Sequence, residues 1–107
     1  MATKASTIEY LLDQLSSIDS MRSRKMFGEY ALYCHEKVVA LVCDDQLFVK
    51  PTEQGRVLFE EVALVPPYPG AKPYLLVDTE RWEDRAWLSR LFMVTAGALP
   101  LPKAKKK

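Results

Sequence analysis

The 107-residue chain has only two cysteines, one histidine and four glycines, and no excess of charge of either sign. Each scarcity excludes something. Cys34 and Cys43 are too few for a disulfide framework, and without an export signal they read as reduced thiols. A lone histidine, His35, leaves no ligand set of the Cys-His zinc kind. Fifteen basic residues against fourteen acidic ones give a net charge of +1, so no overall field draws a polyanion onto the surface. No run approaches the roughly 20 apolar residues of a membrane helix, and the first ten residues lack the apolar block of a secretory signal. The expectation is a cytoplasmic protein with no membrane partner. Glycine-rich phosphate loops, nucleophile elbows, internal repeats and metal-spaced ligand clusters are all missing, so no enzymatic role, catalytic residue, metal or cofactor is expected.

What is present has the balance of one soluble core, 49% hydrophobic and 27% charged. Ser6 and Glu9 match a capping box, and Ile8, Leu11, Leu12, Leu15 and Ile18 recur at helical spacing. That spacing predicts a helix over residues 7–18. The following DSMRSRKMF carries a first strand ending near Phe27, and Gly28 marks a bend or bulge. Three short β-rich runs come next, EYALYC, VVALVC and QLFVK, separated by HEK and DD. They predict an antiparallel meander of hairpins.

Turns centred on Glu36-Lys37 and Asp44-Asp45 would set Cys34 opposite Val39 and Cys43 opposite Tyr30. The two thiols then stand ~13 Å apart at about 3.3 Å per residue, too far to bond or share a metal. Both read as small buried apolar residues, His35 as an exposed residue beside the turn, and the two aspartates as turn formers bonding their own backbone. One face of this register collects Tyr30, Leu32, Val39, Leu41 and Phe48. The other collects Ala31, Tyr33, Val38, Ala40, Val42, Leu47 and Val49. Neither is plainly polar, and so short a chain has few helices to cover both. Part of one sheet face or edge is therefore a candidate surface for a homodimer or an unidentified protein partner.

Beyond Pro51, Thr52 caps a short helix through EQGRVLFEEV. Prolines 66, 67, 69 and 73 then predict an extended, turning loop before a strand at YLLV, with a type II turn at Pro69-Gly70. Tyr68 and Tyr74 flank Lys72 in this loop, a combination that packs as a connector, stacks bases or holds a peptide. A last helix starts at Asp78 or Thr79, buries Trp82, Trp87, Leu88, Leu91, Phe92 and Thr95, and is expected to end at Gly97. The chain closes on a lysine-rich tail over residues 100–107, read as disordered, after a single domain over residues 1–99. The order of elements places the chain in the α+β class, an antiparallel β-meander sheet flanked by helices.

The segment RKMFGEYALYCHEKVVALVCDDQLFVKP, followed by PPYPGAKPY and an acidic-aromatic last helix, resembles the N-terminal domain of the TfoX family, the Sxy-type competence regulators. The resemblance runs from Ile8 to Ala98. Its most specific positions are Arg24, Met26, Phe27, Gly28 and Tyr30, then Asp44, Asp45, Leu47, Phe48, Val49 and Lys50. It implies an α+β domain of a bacterial cytoplasmic protein linked to DNA transformation through regulation of competence genes. Glu29 stands where the family commonly shows a second glycine. Full-length regulators carry a C-terminal domain as well, so the resemblance implies a free-standing member of the domain family, and it supplies no catalytic residues.

Two functional expectations follow. The first is a nonenzymatic regulatory and protein-interaction domain whose candidate partner-binding residues are Arg24, Phe27, Gly28, Tyr30, Tyr68, Lys72 and Tyr74. The alternative is a nucleic-acid-associated regulator that contacts phosphates through Arg22, Arg24, Lys25, Lys103, Lys105, Lys106 and Lys107.

Overall fold

Alternating apolar residues build a six-stranded antiparallel sheet, with strand order β1-β2-β3-β4-β6-β5. The computed structural model describes residues 3–26 and 29–99. In chain order the elements are α1 (Ala5–Gln14), β1 (Arg22–Met26), β2 (Glu29–Cys34), β3 (Lys37–Cys43), β4 (Gln46–Val49), α2 (Glu53–Arg56), β5 (Ala63–Val65), β6 (Tyr74–Val77), α3 (Thr79–Trp82) and α4 (Arg85–Ala98). The α+β class stands. The expected strand end at Phe27, the bend at Gly28 and the lysine tail lie outside the described residues.

The β2-β3 turn differs from expectation by one residue. It is centred on His35-Glu36, with Cys34 paired to Lys37, and both central residues have positive φ, 53° and 65°. A left-handed pair of this kind matches the twist of a two-residue hairpin, normally at the cost of Asn or Gly there. Asp44-Asp45 repeats the same geometry, with φ of 55° and 59°, where it was expected.

An irregularity between Leu32 and Tyr33 then leaves Val39 without a Cα partner, so that Val39 and Ala40 are both fully buried. A bulge of this sort bends the strand and lets neighbouring residues share a face. The expected faces are corrected accordingly. Leu32, Cys34, Val39, Ala40, Val42, Leu47, Val49, Leu75 and Val77 form one core with Ile8 and Leu11 of α1 and Leu88, Leu91, Phe92 and Ala96 of α4. Each fully buried Val, Leu, Ile or Phe among them contributes roughly 1.5–3 kcal/mol. Ala31, Leu41, Cys43 and Phe48 alternate to the other face and take no part in that core, although Ala31, Cys43 and Phe48 are buried there too.

Local chemistry explains the remaining departures. No side chain of α1 caps its start; the helix begins at Ala5 with Lys4 as N-cap. Thr52 caps α2 as expected, its hydroxyl accepting from Gly55 N at 3.0 Å, but the helix stops at Arg56. Ala63–Val65, expected as loop, adds to the sheet edge by pairing with β6. The last helix is broken in two because the Asp84 carboxylate accepts from Trp87 N at 3.1 Å and starts α4 afresh. Gly97 lies inside α4, whose end is instead held by Lys37: its ammonium donates to Ala96 O at 2.7 Å and Leu99 O at 2.8 Å. A cation there also complements the helix dipole.

Candidate functional site

All the core-forming helix residues pack on one side of the sheet, so among the described residues the other side is crossed by loop and turn segments and not by a helix. The proline-rich loop is one of them. Gly70 has φ of 88°, and Ala71 N donates to Tyr68 O at 3.1 Å, closing the type II turn at Pro69-Gly70. The turn holds a buried Pro67 beside Tyr68, which is 55% exposed. Between this loop and the end of β1 runs a groove of about 660 Å³, within the range of ordinary binding clefts. Leu41 and Cys43 of β3 line it, with Met26, Glu29 and Tyr30 from the first hairpin, Asp44 from the next turn, and Pro67, Tyr68 and Pro69 from the loop.

The acidic end of the groove is fixed by a hydrogen-bond cluster. Glu29 Oε1 lies 2.6 Å from the Thr3 hydroxyl that donates to it, and accepts from Asp44 N at 3.0 Å. Thr3 Oγ1 also accepts from Asp45 N at 3.2 Å. The Asp45 carboxylate turns away from its own backbone, accepting from Lys4 N at 2.9 Å and Thr7 Oγ1 at 2.8 Å. The aspartate turn therefore caps α1, a correction to the expected local bonding. Among the described residues only Arg85 and Asp13 form a salt bridge, which leaves Glu29 and Asp44 without a cation.

Reactivity is suppressed. Burial, reinforced by the charges of Glu29 and Asp44, pushes the Cys43 thiol up to about 11. Cys34 is raised as well, chiefly by burial, on the opposite face of the sheet. Both are free and buried, so neither supplies a thiolate at neutral pH. Tyr74 is raised as well, chiefly by burial and then by the charges of Tyr68 and Cys43. His35 sits exposed in its turn, its Nδ1 3.1 Å from Ser20 Oγ. Among the described residues no group of three or more His, Cys, Asp or Glu side chains stands ready to hold a metal, and no helix is long and apolar enough to cross a membrane. The arrangement is suited to binding.

The expected site residues separate. Tyr68 lines the groove, Tyr74 is half-buried on β6 outside the lining, and Lys72 is exposed in the loop between them. Tyr30 touches the groove, yet its strand position and its packing against the core put its ring toward the helices. Arg22, Arg24 and Lys25 are exposed on the edge strand β1, where Arg22 lies over the Tyr33 ring at 5.4 Å. Phe27, Gly28 and the lysines 103, 105, 106 and 107 lie outside the described residues. Sequence reasoning passed over Met26, Glu29, Leu41, Pro67 and Pro69 as groove residues. The available signal was Glu29 itself, an acidic residue in a position where the resembled family commonly has glycine.

Comparison with known proteins agrees with this architecture. The family model described as the TfoX N-terminal domain matches residues 13–98. A protein of Spirochaeta aurantia described as an uncharacterized 12.7 kDa protein in the trpE 5′ region is 45% identical over 106 residues, covering 99% of this chain and 91% of the relative.

Proposed function

The chain belongs to the TfoX N-terminal domain family, and on that premise we propose that it is a nonenzymatic regulatory domain acting through protein contacts in the control of competence and DNA transformation. The observation that carries this reading is the grooved sheet face left without helical cover, with an exposed Tyr68 on its wall. Large aromatics beside apolar clefts are common anchors of protein interfaces. Protonated, buried thiols support the nonenzymatic part. In the cells the chain comes from, deleting its gene is expected to lower competence-gene transcripts and transformation frequency. Restoring the wild-type gene should recover both, whereas Tyr68→Ala should fold normally and recover neither. Full recovery by Tyr68→Ala would remove the groove from the mechanism, and unchanged transformation after deletion would remove the pathway.

A second reading is favoured by the row Arg22, Arg24 and Lys25, exposed along one sheet edge. These residues, with the lysines of the tail, suit phosphate contacts of a nucleic-acid-associated regulator. That reading requires binding that weakens steeply with salt, the slope falling by about one for each contact removed. Salt-insensitive retention of a partner after nuclease treatment would exclude it.

A further inference from the structure

The open sheet face is charged oppositely at two places. On β1, Arg22 and Arg24 alternate with Ser23 onto the face that carries Ala31, Tyr33 and Leu41. At the far end of the groove stand Glu29 and Asp44, neither paired with a cation among the described residues. Arg24 is level with Ala31 and hence with Leu41 across β2. Asp44 lies three residues beyond Leu41, ~10 Å along the strand, and two strands, also ~10 Å, away from β1. Between the two charged places the accessible apolar side chains are Met26, which is 38% exposed, and half-buried Leu41.

We propose that a second copy of this chain covers the open face through a two-fold axis that lies parallel to it and crosses the line from Arg24 to Asp44 at right angles, setting Arg24 of each protomer against Asp44 of its partner. The inference rests on reading this face as a protein-contact surface, and it names the occupant. A two-fold contact is self-complementary, so one basic and one acidic corner on the same face satisfy each other twice. The apolar strip between them meets its own copy across the axis. Pairing through the free edge of β1 is disfavoured, because antiparallel association there would bring Arg22, Arg24 and Lys25 against the same residues, and like charges opposite one another destabilise a strand pair.

Sedimentation equilibrium of the full chain tests the arrangement, with circular dichroism to establish that each variant is folded. The wild type is expected at twice the 12.2 kDa mass of one chain. Arg24→Glu should raise the dissociation constant at least about tenfold by setting acid against acid. Combining it with Asp44→Lys should restore the dimer, since both charges of the pair are then exchanged. Should Lys at the positive φ of this turn prevent folding, Arg24→Glu with Asp44→Asn is expected to recover part of the affinity by removing the repulsion. A wild-type monomer, a dimer indifferent to Arg24→Glu, or no recovery in either folded double variant would overturn the proposal. A monomer that still contacts another protein through Tyr68 would overturn the second copy alone and leave the interaction-domain reading standing.

Discussion

Asp45 caps a helix that begins some forty residues before it: Oδ1 accepts the Thr7 hydroxyl at 2.8 Å and Lys4 N at 2.9 Å. These contacts hold the Asp45 carboxyl below its ordinary range, the backbone N–H of Lys4 first and the Thr7 hydroxyl second. A folded-state value below the unfolded one gives stability that is present above the unfolded value and lost as the pH falls through the folded one. Thermal unfolding followed downward from pH 5 should therefore lose stability at acid pH more steeply in the wild type than in Asp45→Asn. Equal acid profiles would show that the charge of Asp45 contributes nothing to the cap. Asn is the useful replacement because it tolerates the positive φ of this turn.

Lys37 fastens the end of α4 to the β2-β3 hairpin through two carbonyl oxygens. Replacing it with Met keeps the aliphatic stem and removes both hydrogen bonds and the charge. The expected cost is about 1–2 kcal/mol in urea unfolding. An unchanged midpoint would mean that water serves the carbonyls as well as the ammonium does.

Thr95 is fully buried on α4, and its hydroxyl has no hydrogen-bond partner among the described residues. Thr95→Val preserves the shape and removes an unsatisfied polar group, so it is expected to raise stability by about 1 kcal/mol. Next to it, a methyl group at Gly55 would come within 2.9 Å of Thr95 Oγ1 and 3.1 Å of Thr52 Oγ1. Gly55→Ala should accordingly destabilise by about 1–3 kcal/mol. The two substitutions are measured by the same denaturation curve and move it in opposite directions.

Cys43, raised to about 11, should react slowly with iodoacetamide at neutral pH and gain rate as the pH climbs toward that value. Because its folded-state value exceeds the unfolded one, its contribution to stability is complete below pH 9 and declines toward pH 11. Rapid alkylation of the folded protein at pH 7 would contradict the burial of this thiol.

The sequence conveyed the class of the fold because its strongest signals are local. Alternation in EYALYC, VVALVC and QLFVK located β2, β3 and β4, and the Pro69-Gly70 pair located its turn, since each depends on residues close together in the chain. His35-Glu36 was misplaced by one residue because neither side chain is among the usual left-handed turn formers. That error, with the bulge at Val39, redistributed the strand residues between the two faces. Distant partners account for the rest. Asp45 rather than Ser6 caps α1, Lys37 rather than Gly97 secures the end of α4, and β5 exists because β6 offers Ala63–Val65 an edge. The groove was illegible for the same reason, since Met26, Leu41 and Pro67 are brought together only by the sheet and the loop folded over it.

The most direct test of the open face as the working surface is site-specific photo-crosslinking in the cells the chain comes from. A photoreactive phenylalanine analogue replaces Tyr68 on the groove wall or, as the control, Tyr10 on α1, which is 41% exposed on the helix side. Discrete protein adducts are expected from position 68 and not from position 10. Adducts formed at position 10 with none at position 68 would place the working surface on the helices and contradict the role assigned to the sheet.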